Sequence, residues 1–453
     1  RQIYGASAAN IGVGISKLLE LPNFKPESAF ILANNGYHGP LSDEDFLTLK
    51  VQLSRLAIDT AAIYSGGVTH PISKAKWQIS TASTGAIRLR NPEISLLSKK
   101  FLILTGLSGS GKSRAASQIA KSFSTEASHY HFAAVGPDWN NRDQLLGYPD
   151  GLHPDVYQTT PVLELLIRAG AAGNGDKPHF LILDEMNLSH VERYFADFLS
   201  AMESGKNISL YEGEPRGTIE KTISIPPNFF IIGTVNIDET TYQFSPKVLD
   251  RANVIEFRME KGAVSKFFDG STDEMEAGAL AGIAEQFVND AKTEDQDAVE
   301  WAARREGFRE EMEALFNLLQ NFNGEFGYRT LKESSRYLYF HDKYSGIEDA
   351  AEKYRDAMDH IIIQKLLPKL HGSRSKLEGV LRALLHFCEA GYRDMNALQE
   401  TSLKSAEATD TALDMLGKRD GVEIEGHYKL SHDKLRRMCR KLHEDQFVSF
   451  ADA

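Results

Sequence analysis

The sequence predicts an α/β protein with a parallel sheet that is covered by helices on both faces. The first observation is a series of short, nearly continuous apolar runs, which are typical of strands buried on both sides. The runs are "FLIL", "HFAAV", "FLILD" and "FFIIGTV", at residues 101–104, 131–135, 180–184 and 229–235. The second is a glycine-rich loop, Gly106 to Ser113, which separates the first run from the helix-forming residues "RAASQIAKSF". Together they indicate a strand, a loop and a helix in succession, repeated around one sheet.

The remaining chain predicts additions to this core. Beyond Phe316 the pattern is wholly helical until a basic amphipathic stretch, "KLSHDKLRRMCRKL", and a short final strand, "FVSF". Two turn-rich segments look like insertions, and the second, "ISLYEGEPRGTIEKTISIP", alternates like a β-hairpin. A chain of 453 residues is too long for one ordinary core. We predict an N-terminal segment at 1–90, an α/β core at 91–258, a helical lid at 259–345 and a helical C-terminal region with a terminal basic helix at 346–453.

Composition and charge narrow the class of protein. Hydrophobic residues make up 42% of the chain and charged residues 25%, and no apolar run approaches the length of a membrane span. We therefore expect a cytoplasmic protein with no membrane helix and no secretion signal. Two cysteines, Cys388 and Cys439, cannot form a disulfide framework, and no Cys/His spacing of the zinc-ligand type is present. The net charge of −12 argues against nonspecific coating of nucleic acid but allows a local basic patch.

The glycine-rich loop carries the strongest functional pattern, Gly106-x-x-x-x-Gly111-Lys112-Ser113. Such glycines let backbone N–H groups surround a phosphate at a helix N-terminus, while Lys112 adds a positive charge and Ser113 can ligate Mg²⁺. A plain Gly/Ser-rich turn is the alternative, but it requires neither the Lys-Ser pair nor the flanking strand and helix. The residues expected to contact a nucleotide are Gly106, Leu107, Ser108, Gly109, Ser110, Gly111, Lys112, Ser113 and Arg114.

A second acidic element follows another apolar run, in "FLILDEMN". We expect Asp184 to bind Mg²⁺ through water and Glu185 to orient and polarise the attacking water, because phosphoryl transfer depends on positioning and charge stabilisation. Paired acids after a strand also occur as helix N-caps. The preceding phosphate-loop pattern favours the catalytic interpretation here.

The stretch "IIGTVNIDETT" changes from an apolar strand to polar residues at Asn236. At the carboxyl end of a parallel strand, an amide can hydrogen-bond both the terminal phosphate and the water held by Glu185. The alternative is that Asn236 only caps the next turn. Downstream, "SPKVLDRA" carries Arg251, which would reach a neighbouring subunit's nucleotide as an arginine finger if subunits form a ring. A surface salt bridge is the other interpretation of Arg251.

Three segments together resemble AAA+ ATPases of the dynein-related group, and most closely the McrB-type motor subunits of McrBC modification-dependent restriction systems. They are "GLSGSGKS", "LILDEMNLSHVERYFADFLSAMES" and "GTVNIDETTYQFSPKVLDRANVIEF", and the similarity extends from Leu97 to Phe257. The resemblance implies an α/β P-loop NTPase core followed by a helical lid and a helical C-terminal region. It identifies the glycine-rich loop as Walker A, Asp184 and Glu185 as Walker B, and Asn236 as sensor 1. Arg251 matches the arginine finger region, and Arg329 is a candidate for sensor 2.

One departure from the family concerns the choice of nucleotide. Better-known McrB proteins carry Met-Asn-Thr-x-Asp-Arg-Ser where this chain has Val235-Asn236-Ile237-Asp238-Glu239-Thr240-Thr241. The asparagine and an acid are kept, and the arginine is absent. The McrB family is associated with GTP, whereas ATP is the default of the wider group. The substrate is therefore expected to be ATP or GTP, with Mg²⁺ as cofactor.

The resemblance also implies partners: a homo-oligomer, expected to be a hexameric ring, and a separate McrC-like nuclease subunit. No Pro-Asp…Asp/Glu-x-Lys nuclease pattern is visible on an apolar strand, so we expect DNA to be engaged through the complex. Residues 1–90 are the candidate for target recognition, with Lys74, Lys76, Trp77, Arg88 and Arg90 as its basic and aromatic residues. Two other classes stay open: a MoxR-like ATPase that remodels proteins, and a nucleotide-binding scaffold without motor activity.

Overall fold

We analysed a computed structural model of the chain. It describes residues 88–124, 126–153, 155–237, 244–258, 268, 276–391, 427–451 and 453. Contacts between Cα atoms divide the chain into two units, Arg1–Arg88 and Leu89–Ala453, and all described residues except Arg88 belong to the second. Lys74, Lys76 and Trp77, as well as the departure at Asp238–Thr241, lie outside the described residues.

A five-stranded parallel sheet forms the centre of this unit, which confirms the predicted α/β architecture. All four apolar runs form strands in it, and a fifth strand follows Arg251. In chain order, the strands of the unit are β1 (Phe101–Gly106), β2 (Tyr130–Ala134), β3 (Tyr148–Pro149), β4 (Tyr157–Gln158), β5 (His179–Asp184), β6 (Ile208–Ser209), β7 (Thr222–Ile223), β8 (Phe229–Asn236), β9 (Asn253–Glu256), β10 (His371–Ser373) and β11 (Phe447–Ser449). The order across the sheet is β2-β5-β8-β1-β9.

Helices surround the sheet and make up most of the C-terminal part. They are α1 (Asn91–Ser98), α2 (Lys112–Phe123), α3 (Asp143–Leu146), α4 (Pro161–Gly170), α5 (Val191–Tyr194), α6 (Ala196–Ser204), α7 (Pro246–Leu249), α8 (Ala284–Ala291), α9 (Asp295–Ala303), α10 (Phe308–Gln320), α11 (Tyr328–Tyr344), α12 (Ala350–Ile361), α13 (Arg374–Ala390) and α14 (Lys429–Asp445). None of the described helices is long and apolar enough to cross a membrane.

Aromatic side chains fix helices on both faces of the sheet. On one face, Phe180 and Phe230 pack against Phe123 of α2 and Phe287 of α8. Phe101 pairs in register with Ile231 and therefore points to the opposite face, because neighbouring residues of a strand alternate sides. There its ring lies 5.5 Å from that of Phe195, next to α6. Both faces of the sheet are thus covered by helices, as the apolar runs predict.

Three pairs of short antiparallel strands lie outside the main sheet. β6 pairs with β7, which confirms the hairpin predicted from alternation, and β3 pairs with β4 in the other inserted segment. β10 pairs with β11. The prediction of a wholly helical region beyond Phe316 is therefore wrong at residues 371–373. The reason is that the final strand is short and needs a partner for its backbone N–H and C=O groups.

A buried arginine connects the helical region to the sheet. Arg336 of α11 donates to the carbonyl oxygens of Leu97 and Ser98, at 2.9 and 3.3 Å. These are the last carbonyls of α1, which have no partner within their own helix. Since α1 leads directly into β1, this contact fixes α11 against the start of the strand that carries the glycine-rich loop.

Candidate active site

Three adjacent strands bring the predicted site residues to one edge of the sheet. β1 continues into the glycine-rich loop, β5 ends at Asp184, and β8, which lies between them, ends at Asn236. Gly106 and Asn236 are partners in register. Because the strands are parallel, their carboxyl ends meet at this edge. The loop, the acidic pair and the amide therefore converge, although they are far apart in sequence.

The glycines of the loop are required by its geometry. A Cβ atom at Gly106 would lie 2.3 Å from the backbone oxygen of Phe257, so no side chain fits there. Gly111 precedes α2 with φ of 95°, a left-handed conformation that glycine adopts without strain. Residues 107–109 of the loop are exposed, and residues 110 and 111 are partly buried. Arg114 is exposed in the first turn of α2. The loop is therefore open to solvent and lies at the N-terminus of a twelve-residue helix.

Lys112 is buried under the loop, with 4% of its surface exposed. Its Nζ atom donates to the carbonyl oxygens of Gly106, at 2.9 Å, and Leu107, at 2.5 Å. Ser110 Oγ lies at 3.4 Å from the same nitrogen. These acceptors are neutral, and a positive charge under a ring of backbone groups is well placed to bind an anion at the mouth of the loop.

Asp184 is the centre of a small hydrogen-bond network. Its Oδ1 atom accepts from Ser113 Oγ at 2.5 Å and from Thr234 Oγ1 at 2.6 Å. Thr234 is 1% exposed, and its hydroxyl oxygen also accepts from the backbone N–H of Glu185, at 3.0 Å. The two residues predicted to hold a metal, Ser113 and Asp184, are thus in direct contact. Thr234 connects this pair to the predicted catalytic acid.

Glu185 has a left-handed backbone, with φ of 52° and ψ of 45°. This conformation is costly for a residue other than glycine, by about 1–3 kcal/mol, and is found most often at functional sites. The side chain of Glu185 accepts a hydrogen bond from Asn236 Nδ2 at 3.0 Å. The carboxylate of Glu185 thus lies against the amide of Asn236, at the end of the neighbouring strand β8.

Sequence reasoning missed Thr234. It stands two residues before Asn236, so the two side chains lie on the same face of β8. A polar residue within the buried run "FFIIGTV" was the available signal, because a buried hydroxyl needs hydrogen-bond partners. Its partners, Asp184 and Glu185, lie on another strand and are not apparent from the sequence.

Arg251 and Arg329 lie elsewhere, and both contact Glu203 of α6. Arg251 Nη2 pairs with one carboxylate oxygen of Glu203, and Arg329 Nη2 lies 2.7 Å from the other. Arg251 Nε also donates to the carbonyl oxygen of Leu199, at 3.1 Å. Burial, and to a smaller extent the neighbouring Arg329, lowers the pKa of Arg251. The structure therefore brings the two predicted arginines together.

These arginines lie at the edge of the sheet opposite the glycine-rich loop. Arg251 stands just before β9, which runs parallel to β1 and begins beside Leu102. The six residues of β1 separate the two edges by about 17 Å. Within one chain, the structure does not bring Arg251 or Arg329 to the glycine-rich loop.

Two lysines, the partly buried Lys99 and the buried Lys365, hold the backbone on either side of Arg251. Lys99 Nζ donates to the carbonyl oxygen of Asp250 at 2.9 Å, and Lys365 Nζ donates to that of Ala252 at 3.1 Å. Both lysines also pair with the partly buried carboxylate of Glu333. Burial and the charge of Lys365 lower the pKa of Lys99 to about 7, although Glu333 opposes the shift.

The oxygen donors at the loop suit Mg²⁺. Ser113 and Asp184 offer a hydroxyl and a carboxylate, which are ligands that this hard cation prefers. Among the described residues, no three His, Cys, Asp or Glu side chains are placed to hold a metal ion. The fit is thus to a cation that takes most of its ligands from water and phosphate, as Mg²⁺ ordinarily does.

Comparison with known proteins adds one match. A family model described as a domain of unknown function, DUF8727, matches residues 274–447. The matched segment begins after β9 and covers the helical part of the unit, so it does not include the glycine-rich loop, Asp184 or Asn236. No curated protein matches the chain.

Proposed function

We propose that this chain is a nucleoside triphosphatase of the P-loop type, with an AAA+ core, that hydrolyses ATP or GTP. The observation that carries the proposal is the convergence of three strand ends. The loop with Lys112 and Ser113, the acidic pair Asp184-Glu185 and Asn236 meet at one edge of a parallel sheet. Hydrogen bonds join Ser113 to Asp184 and Asn236 to Glu185.

The loop would bind the phosphates of the nucleotide. Its exposed backbone lies at the N-terminus of α2, where N–H groups and the helix dipole favour an anion. Lys112 Nζ, now on the carbonyl oxygens of Gly106 and Leu107, would turn toward a phosphate bound at the loop mouth. A Mg²⁺ ion held by Ser113 and, through water, by Asp184 would neutralise negative charge that develops on the phosphates.

Glu185 and Asn236 would handle the attacking water. The oxygen of this water forms a bond to the terminal phosphorus, and the bond from that phosphorus to the bridging oxygen breaks, which releases a nucleoside diphosphate. Glu185 accepts a proton from the water, and inorganic phosphate leaves. Asn236 already contacts Glu185 at 3.0 Å and can donate to the water and the phosphate on the same side.

A second copy of the chain would complete the site. Arg251 lies on the opposite edge of the sheet from its own loop, so it can act as an arginine finger only toward a neighbouring subunit. This position supports a ring assembly, which we propose to be hexameric. The sequence similarity from Leu97 to Phe257 supports a role as the motor subunit of a McrBC-like DNA restriction or phage-defence complex, with a McrC-like nuclease subunit as partner.

Substitution of Glu185 tests the proposal. Glu185→Gln keeps the shape of the side chain but cannot accept the proton, so we expect turnover of ATP or GTP to fall by ~100-fold or more while nucleotide binding is retained. Binding is measured with a fluorescent nucleotide and turnover by phosphate release. Glu212→Gln, at an exposed position of the β6–β7 segment, is the matched control. Normal turnover in Glu185→Gln would exclude the assigned site.

The biological role needs a separate measurement. Co-purification with the McrC-like subunit should raise turnover of the preferred nucleotide and add cleavage of modified DNA. Stimulation by a protein substrate, with no effect of a nuclease subunit, would exclude the restriction role and leave hydrolysis intact.

A further inference from the structure

Glu203 forms ion pairs with two arginines at a position where its negative charge is otherwise unfavourable. It lies in the last turn of α6, which ends at Ser204, and a carboxylate there is disfavoured by the negative end of the helix dipole. Arg251 and Arg329 offset this cost by taking one carboxylate oxygen each. One negative charge thus faces two positive charges, and the cluster keeps a net positive charge.

The backbone around Arg251 is held in place, whereas the side chains of Glu203 and Arg329 are exposed enough to rotate. Lys99 and Lys365 bind the carbonyl groups on both sides of Arg251, so the backbone of this segment is held in place. In contrast, the side chains of Glu203 and Arg329 are 45% and 40% exposed. Arg251 is 12% exposed and donates to the carbonyl oxygens of Leu199 and Lys247, so it stays in place. Rotation of the exposed Glu203 side chain is enough to separate the carboxylate from it.

A triphosphate is a stronger partner for these arginines than one carboxylate. It carries several negative charges and accepts the paired N–H donors of a guanidinium in the same way as a carboxylate. The glycine-rich loop of the same chain lies across the sheet, about 17 Å away. A triphosphate bound to the loop of the same chain therefore cannot compete with Glu203, whereas one bound to a docked second copy of this chain can.

We propose that Glu203 is an internal competitor for the triphosphate of the neighbouring subunit. It holds Arg251 and Arg329 in a separate protomer and releases them when a nucleotide-loaded neighbour docks. Glu203 is then a positioning residue that sets how readily subunits assemble into the active form. This inference rests on the proposed triphosphatase activity and adds to it the regulation of the shared site.

Glu203→Gln tests the proposal because it keeps the shape and removes the charge. Without the competitor, turnover should reach half of its maximum at a protein concentration about 3- to 10-fold lower than in the wild type, as expected for the loss of two partly exposed ion pairs. Glu203→Asp, which is too short to reach both arginines, should shift the midpoint in the same direction. Glu212→Gln should leave it unchanged.

The readouts separate this inference from the proposed function. Lys112→Ala is measured first, with ATP and with GTP, and a wild type without Lys112-dependent turnover would overturn both proposals. If that turnover is present but Glu203→Gln has the wild-type midpoint, only the competitor role fails. It also fails if Glu203→Gln lowers turnover at every protein concentration, since Glu203 would then only support the arginines. In the double variant Glu203→Gln/Arg251→Ala, the shift of the midpoint to a lower protein concentration should disappear.

Discussion

Thr234→Val should uncouple the metal-binding carboxylate from the catalytic acid with little change in shape. Valine matches threonine in size but lacks the hydroxyl that donates to Asp184 at 2.6 Å and accepts from the N–H of Glu185 at 3.0 Å. Thr234 is 1% exposed, so water cannot replace these hydrogen bonds. The substitution leaves the partly buried N–H of Glu185 without its acceptor and the carboxylate of Asp184 without one donor.

The expected loss of stability follows from these two hydrogen bonds. A hydrogen bond to a charged group contributes about 1.5–3 kcal/mol, and an unsatisfied buried N–H costs about 1–3 kcal/mol. The more apolar valine recovers part of this, so we expect the free energy of unfolding to fall by about 2–4 kcal/mol. If the proposed function is correct, turnover should also fall by about 10- to 100-fold, because Thr234 orients the groups that touch metal and water.

Urea unfolding, together with the Mg²⁺ dependence of turnover, measures both effects. Thr234→Ser keeps the hydroxyl and should preserve the Mg²⁺ dependence. Thr222→Val, at an exposed position of β7, is the matched control for the same chemical change. The reasoning fails if the free energies of unfolding of Thr234→Val and Thr222→Val differ by less than about 0.5 kcal/mol.

Two further predictions concern packing and pH. Gly233→Ala places a methyl group 2.5 Å from Met186 Sδ, so the free energy of unfolding should fall by about 1–3 kcal/mol in urea titrations, whereas Gly170→Ala meets open space and should change it little. Equal stability of the two variants would contradict this packing. Burial lowers the pKa of Lys99 from 10.5 to about 7, so between these values the unfolded chain binds more protons and the free energy of unfolding rises with pH. In urea titrations between pH 7 and 9, the wild type should rise more steeply than Lys99→Met, by up to about 1.4 kcal/mol per pH unit, and parallel curves would refute the assignment.

Local patterns in the sequence predicted the sheet and the main site residues. The strands of the main sheet are buried on both faces and read as apolar runs, and the glycine-rich loop is one continuous segment. Both signals depend on residues that are close together in the chain. The positions of Asp184, Glu185 and Asn236 at strand ends predicted that they lie near the glycine-rich loop, because parallel strands bring their carboxyl ends to one edge.

The missed features depend on contacts between distant segments. Thr234 contacts Asp184, which is 50 residues away in sequence. Glu203 meets Arg329 only after the helical region folds onto the sheet, since the two residues are 126 apart in sequence. The three-residue strand β10 has no pattern of its own and exists because β11 pairs with it. Such contacts are set by the tertiary fold rather than by local sequence.

The register of β8 makes the site far more sensitive to a change in chain length than to a change in side chain. Gly106 and Asn236 are paired across β1 and β8, and successive residues of a strand point to opposite faces. Exchange of one apolar residue for another within the strand leaves Asn236 in place. Deletion of a single residue would turn Asn236 to the far side of the sheet and bring an apolar side chain to face Glu185. Over evolutionary time, insertions and deletions in this strand should therefore be eliminated more strictly than substitutions.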